Sequence, residues 1–513
     1  MEVSEVAPAG SGPVNIPLCP GAVTSCCPLK RAWIYSGPEH TKRGVIRNCD
    51  RIDVRMFRFS LDRATDNPLP MNTMTAPPAP KGHFLLGHLP RMRNQPLEFM
   101  TECARLHGDF VHLRVANIDA YLLSHPDLVE EVLVTSNRNF IKPRLLREAG
   151  AVLGNGLLTS EGDFWLRQRR LMQPAFHRDR IASYGVTMVD LTREMLAGWH
   201  DGETMDIHEE MMRLTLGIVA KTLFGADVVQ HAEDFGAALE VALQRFIERM
   251  GFMRLLDALP LPRNRRFKRA IGRLDEIIYG IIAERRENGD GSGDLLSLLL
   301  GAQDEDGSRM TDLQLRDEAI TLFLAGHETT AIALSWTLYL LSLNPGAEAR
   351  LVEELEEVLK GREPRMDDMA TLQYTDRVVR ESMRLFPPAW RVGREAAVDC
   401  EIGGYHIGAG AQLIMSQWVI QRDPRFFDDP EAFRPERWDD DLARRLPRFA
   451  YFPFGGGARR CIGDGFAMME ATLLLASIVQ RFHLSLVPDQ SIVPFPSITM
   501  RPKYGIRMTL KRR

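Results

Sequence analysis

The 513 residues contain few cysteines, seven in all, and no pair of them repeats a metal-ligand spacing. An odd number at that density excludes a disulfide scaffold and fits a reducing, cytosolic setting. Excess positive charge is also missing. The net charge is -4, which argues against a nucleic-acid partner or an anionic membrane surface and leaves only local basic docking faces. No positively charged start followed by an apolar core appears at Met1, so no secretory signal is expected. The longest apolar stretch, Leu322 to Leu343, could span a bilayer by length, but His327 and Glu328 near its start make it a buried core helix. No stable membrane anchor is expected, and the location expected is cytoplasmic.

What is present suffices for one large core or two modest ones, with 45% apolar and 26% charged residues. Residues 1–70 have scattered Pro, Gly and Ser, four of the seven cysteines and no sustained period, and they read as an unstructured extension. Either Met71 or Met74 would serve as a start, so 71–513 is expected to be the single folded domain. Alternation from Phe110 to Val115, a turn at Asn117 to Asp119 and the run from Tyr121 to Ser124 predict a hairpin. Strands return between Gly403 and Met415. Apolar residues at three- and four-residue spacing predict helices around 188–198, 206–224, 264–288 and 346–360. The fold class is therefore mainly α with a minor β region. One helix stands apart: Thr311 and Gln314 form a capping box, the pattern runs to Leu343, and Asn344-Pro345 stops it. At 1.5 Å per residue it would be on the order of 50 Å long and cross the domain.

The strongest motif runs from Phe454 to Gly463, FGGGARRCIG, followed at once by an apolar-periodic helix. A cysteine ahead of a helix N-terminus meets the helix dipole and free backbone donors, which favour thiolate, the form that binds iron. The glycines, Gly457 among them, let backbone approach a flat ligand, and Arg459 can reach a carboxylate on that ligand's rim. An inert buried cysteine is the alternative reading of this segment. A phosphate loop would need a Lys-Ser/Thr ending that is absent. Glu381 and Arg384 stand at i and i+3, where a bidentate pair forms, and Arg437 would add a third member; a solvated surface pair is the alternative. On the long helix, Ala325-Gly326-His327-Glu328-Thr329-Thr330 sets an acid beside an alcohol. Gly326 permits close approach to a cofactor, while a threonine hydroxyl bonded to the preceding turn opens a groove for water. Thr-rich packing alone is the other reading there. His327 is assigned to packing or hydrogen bonding. Trp165 and Arg169 at i and i+4 can point donors the same way, and Arg394 follows Pro387-Pro388.

Together these residues resemble the cytochrome P-450 family. The cysteine loop matches its FxxGxRxCxG signature at every fixed position, Glu381 to Arg384 its ExxR element, Ala325 to Thr330 its oxygen-activation motif, and Trp165 to Arg169 its WxxxR element. The resemblance implies the fold of that family, with the long central helix crossing a haem b (iron protoporphyrin) whose axial metal ligand is Cys461. It implies cofactor binding by Arg459, Phe454, Gly457, Trp165, Arg169, Arg394 and Gly326, and catalytic duties for Thr329, which stabilises activated oxygen, and Glu328, which passes protons inward. The ion pair at Glu381 would hold the scaffold. The implied reaction is insertion of one oxygen atom from dioxygen into a hydrophobic small molecule. A peroxide-driven peroxygenase and a haem-binding sensor are the rivals.

The chain ends soon after the cysteine helix, so a separate ferredoxin or flavodoxin with its reductase is the expected electron donor. Arg167, Arg169, Arg170, Arg444, Arg445, Arg448 and Arg460 are expected to form its docking face. By the same resemblance the substrate pocket is lined by residues near 135–160, 230–262, Ala389 to Val392 and Phe495 to Met500. Trp390, Val392, Phe495 and Ile498 make it apolar, suited to a lipid-like or terpenoid molecule. Arg391 is read as facing solvent, with a carboxylate-holding role as the alternative.

Overall fold

A computed structural model describes residues 76–225, 234–239, 241–242, 261–288, 294–304 and 307–513. The expected extension, 1–70, and most of the pocket region 230–262 lie outside the described residues. All the described residues fall in one compact unit, Asn72–Arg513.

The hairpin forms where alternation predicts it, as β1 (Phe110–Val115) and β2 (Ile118–Leu123). Its turn is tighter than expected. Val115 pairs with Ile118, so only Ala116 and Asn117 connect the strands, and Ala116 takes the left-handed conformation a two-residue hairpin turn demands. Next come β3 (Phe140–Ile141), α1 (Gly162–Met172), α2 (Arg178–Ala197), α3 (Ile207–Phe224), α4 (Asp312–Leu343), α5 (Gln373–Leu385), β4 (Val392–Ala396), β5 (Gln412–Met415) and α6 (Asp464–Arg481). Further helices, Pro262–Asn288 and Pro345–Leu359, occupy the other predicted helical stretches. The main sheet has the order β1-β2-β5-β4-β3, with β2 and β5 parallel and the other neighbours antiparallel. It joins the first hairpin to segments nearly three hundred residues later, and β4 brings Arg394 into line with Leu413.

Helix α4 is the axis of the molecule. The Thr311 hydroxyl accepts from Gln314 N at 3.2 Å while the Gln314 side chain accepts from Thr311 N at 2.8 Å, the predicted capping box. Its 32 residues extend about 48 Å. Leu315 to Leu324 pack into one apolar cluster with the Pro262–Asn288 helix. Ala331 to Leu341 pack into another with α2 and α6. Residues 325–330 belong to neither: Ala325 is exposed, and Gly326, Glu328 and Thr329 are half-exposed, in a helix otherwise buried on most sides. The oxygen-motif residues therefore stand where the core opens. No helix of the described residues is long and apolar enough to cross a membrane.

Candidate active site

The cysteine loop is shaped by left-handed glycines. Gly457 has φ +66°, and a Cβ there would stand 1.9 Å from the Leu133 carbonyl oxygen; only glycine fits. The Cys461 amide donates to Phe454 O at 3.0 Å, which closes the loop on itself. Phe454 is half-buried against the core that holds α6. Cys461 is solvent-accessible, yet surrounding protein desolvates it enough to raise its thiol pKa, with the Gly463 amide, Arg169 and Arg460 opposing that shift. A group that meets solvent and is still desolvated stands in an interior cleft. The Gly463 amide favours thiolate, as expected of a cysteine ahead of a helix, while burial opposes it.

Beside the loop is a cluster of cations around one carboxylate. Arg459 ion-pairs with Glu161, stacks over the Trp165 ring with 4.6 Å from guanidinium carbon to ring centroid, and keeps a buried Nη1 without an acceptor. Burial and Arg459 lower Arg394 to about 10. The same two causes, against the pull of Glu161, lower Lys142 to about 7. Lys142 donates to the Leu157 and Ser160 carbonyls, and its own amide donates to Glu161 at 2.6 Å. Glu161, at the N-terminus of α1, therefore ties Lys142 and Arg459 into one group. Neither Lys142 nor Glu161 was identified from sequence. The signal for Glu161 was its place four residues before Trp165.

Arg169 is placed differently from the expectation that it points alongside Trp165. Its Nε donates to Gln173 at 3.1 Å and its Nη1 to Arg460 O at 2.9 Å, so it braces the residue just before Cys461. Gly326 has a packing role. A Cβ there would meet Val219 Cγ2 at 2.9 Å, so its smallness serves the packing of α4 on α3. His327 is buried with Nδ1 2.8 Å from Phe323 O, the packing role expected.

The Thr329 hydroxyl donates to Ala325 O at 2.7 Å, the back-bond expected of a threonine in mid-helix. On the same helix, Glu328 Oε1 accepts from Thr499 Oγ1 at 2.7 Å. Thr499 was not singled out, because 171 residues separate the partners and no motif marks it. The Thr499 segment is itself braced: Trp336 Nε1 donates to Met500 O at 2.9 Å, Trp390 Nε1 to Ser497 O at 3.0 Å, and Met500 N to Pro388 O at 3.0 Å. Of the predicted pocket residues, Trp390 is buried, Val392 half-buried, and Phe495 and Ile498 exposed. The loop near 155 is pinned to α4, with Asn155 N donating to Asp317 at 2.7 Å and Leu157 N to Glu318 at 2.8 Å.

Glu381 and Arg384 are fully buried and bidentate, with Arg437 joining at 2.8 Å; the surface-pair alternative is excluded. The expected basic face is smaller than predicted. Arg444, Arg445, Arg448 and Arg460 are exposed and Arg170 is too, whereas Arg167 pairs with Asp304 at 2.9 Å and Arg169 turns inward.

These residues fit a flat, anionic, iron-bearing ligand. The Arg459 nitrogen without an acceptor and the buried Arg394 guanidinium leave positive charge beyond what Glu161 offsets, the glycine loop admits close approach, and the Cys461 thiol is accessible.

The model of the family "Cytochrome P450" matches residues 77–509. The chain is 41% identical to cyclooctatin synthase of Streptomyces melanosporofaciens, covering 82% of this chain and 93% of that protein. It is 38% identical to cyclooctat-9-en-7-ol 5-monooxygenase of the same organism (82% and 92%) and 36% identical to pentalenene oxygenase of Streptomyces avermitilis (86% and 98%). Among solved structures it resembles the retinoic acid bound cyanobacterial CYP120A1, with TM-score 0.77, 26% identity and coverage of 85% and 99%. It also resembles the cytochrome P450DA heme domain, with TM-score 0.78, 29% identity and coverage of 85% and 97%.

Proposed function

This chain belongs to the cytochrome P450 family, and from that premise we propose that it hydroxylates a cyclic terpenoid with dioxygen, taking electrons from a separate ferredoxin or flavodoxin and its reductase. It is a monooxygenase with a haem-iron cofactor. The observation that carries the reading is the accessible, interior Cys461 sulfur beside a cationic cluster short of negative charge. Oxygenation of terpenoid rings is what the names of the relatives from Streptomyces describe, and the apolar lining around Trp390 and Val392 suits such a substrate.

Cys461 would ligate the iron of a haem b, while Arg459 and Arg394 would hold its carboxylates, with Trp165, Phe454 and Gly457 shaping the bed. Arg169 would support the loop from behind. When bound, the haem supplies a redox-active iron at which dioxygen is activated, and electron donation from a thiolate favours scission of the oxygen–oxygen bond. The chain's own task is proton management. The Thr329 hydroxyl holds a proton at the opening of the core, and Glu328, fixed by Thr499, relays protons from water toward it. That adjacent acid and alcohol weigh against a peroxide-driven enzyme, which needs no such relay, and against a sensor. We further propose a single catalytic domain over 71–513, with 1–70 an extension outside it, in a cytoplasmic protein.

The test is turnover of cyclic terpene hydrocarbons and alcohols with a ferredoxin and its reductase, dioxygen, and catalase to remove peroxide. Hydroxylated product, together with a far-shifted thiolate-type absorption of the ferrous carbon monoxide complex, is expected. Loss of that absorption in Cys461→Ser is expected too. Product formed only with added peroxide, or an unchanged spectrum in Cys461→Ser, overturns the reading.

A further inference from the structure

Four arginines lie where burial lowers their pKa: Arg169, Arg391, Arg394 and Arg422. Three of them have acceptors. Arg169 reaches Gln173 and Arg460 O, Arg394 donates to Gly393 O at 2.7 Å, and Arg422 pairs with Glu431 at 3.2 Å. Arg391 alone makes no hydrogen bond and no ion pair among the described residues. Its single contact of note is the Trp390 ring, 4.6 Å from guanidinium carbon to centroid. It is half-exposed, between buried Trp390 and the first residue of β4, and the surrounding protein desolvates it.

Its orientation is set by rigid neighbours. Trp390 is buried, its indole donates to Ser497 O, and its carbonyl accepts from Ser416 Oγ at 3.0 Å and Trp418 N at 3.2 Å. On the other side, Val392 begins β4 and pairs with Met415. The strap that holds Trp390, Ser497 to Met500, is the one whose Thr499 holds Glu328. Arg391 therefore belongs to the wall that fixes the proton-relay acid. A cation desolvated beside an aromatic ring and lacking a counter-charge is costly to fold, and the ring's attraction offsets only part of that cost. An anionic partner arriving with the ligand removes that penalty. One guanidinium with free donors matches one carboxylate in bidentate fashion.

We propose that Arg391 binds a carboxylate on the substrate, so that the site takes a hydrophobic isoprenoid acid, held at its acidic end by Arg391 and along its apolar length by the pocket. This rests on the monooxygenase reading and narrows its substrate class.

The test is calorimetric binding to the haem-loaded, full-length protein of retinoic acid and a cyclic diterpenoid acid, each against its methyl ester and alcohol. The acids are expected to bind at least about tenfold more tightly, as a charge-assisted bidentate pair predicts. Arg391→Gln is expected to abolish the preference, and Arg391→Lys to retain part of it. Equal binding of acid and ester, or binding of none of the acids, overturns the proposal without any variant. So does a preference that survives in Arg391→Gln, or loss of haem from that variant with the preference unchanged. Oxidation of terpene hydrocarbons with no preference for acids refutes the role of Arg391 and leaves the proposed reaction standing. Arg391-dependent binding of acids without any oxidation does the reverse.

Discussion

Both oxygens of Glu381 accept from Arg384, Oε1 from Nη2 at 2.8 Å and Oε2 from Nε at 2.9 Å, in a pair that no water reaches. The remaining valences are filled as well. Arg437 Nε and Arg434 N donate to Oε1, Trp438 Nε1 to Oε2, and Arg384 also donates to the carbonyls of Gln421, Pro430 and Ala432. Removing one partner strands the other's charge, at about 3 to 5 kcal/mol. Glu381→Gln is accordingly expected to lower thermal stability sharply and to yield protein that fails to retain haem, by melting curve and haem-to-protein ratio. Arg384→Lys is expected to fail similarly, since an ammonium cannot reproduce the planar fork. A Glu381→Gln protein of ordinary stability would show the network to be dispensable.

The bond between Thr499 and Glu328 predicts a proton-delivery defect at a distance from the oxygen motif. Glu328→Gln is expected to cut product formation by on the order of a hundredfold, the usual worth of a positioned acid or base. Thr499→Val, which leaves Glu328 charged but untethered, is expected to lower product formed per electron consumed several-fold and to enlarge the solvent isotope effect, with substrate affinity unchanged. Coupling equal to the parent protein's in Thr499→Val would mean that the tether has no part in the relay.

Glu470 on α6 is fully buried, with the Thr330 hydroxyl as its polar neighbour and no cation paired with it among the described residues. Burial pushes its pKa up to about 8, with the Thr330 hydroxyl opposing. The folded protein therefore keeps a proton that the unfolded chain, titrating near 4.5, gives up. This contribution is whole below about pH 4.5 and is lost as pH rises through about 8, by a few kcal/mol in total at roughly 1.4 kcal/mol per pH unit. Glu470→Gln cannot ionise. Its melting temperature relative to the parent protein's is expected to climb between pH 5.5 and pH 8, and parallel curves would contradict the assignment.

Arg444, Arg445, Arg448 and Arg460 offer charge to an acidic electron donor. Their own pairs, with Asp441, Glu130 and Asp464 for three of them, are surface contacts worth about 0 to 1 kcal/mol each, so reversing all four to Glu is expected to leave the fold intact. Electron transfer from a ferredoxin is expected to slow at least about tenfold at low salt, with the difference shrinking as salt screens it. Unchanged rates in stopped-flow reduction would remove this face from consideration.

The cysteine loop, the Glu381 pair and the capped long helix were legible because each is a local matter of backbone conformation or helical spacing. The partners that complete the site were not. Glu161 with Arg459 and Thr499 with Glu328 meet across 298 and 171 residues, and nothing in composition or period links them. Gly326 is a case of the same kind: the sequence says that the residue is small, while the neighbouring helix adds Val219 as a packing reason. For Arg391 the sequence offers a solvent-facing reading and a carboxylate-holding alternative, and what favours the second, the lack of a side-chain partner beyond the Trp390 ring among the described residues, is visible only in three dimensions.

The contact of Arg459 with Glu161 and Trp165 also sets an order of events during synthesis. The wall formed by Glu161 and Trp165 leaves the ribosome some three hundred residues ahead of the loop that covers it. Throughout that interval an indole face and a carboxylate wait without their guanidinium. A nascent chain halted before the loop would lack the guanidinium and thiol of the proposed haem cradle, so on that reading cofactor capture is among the last steps in the making of this protein.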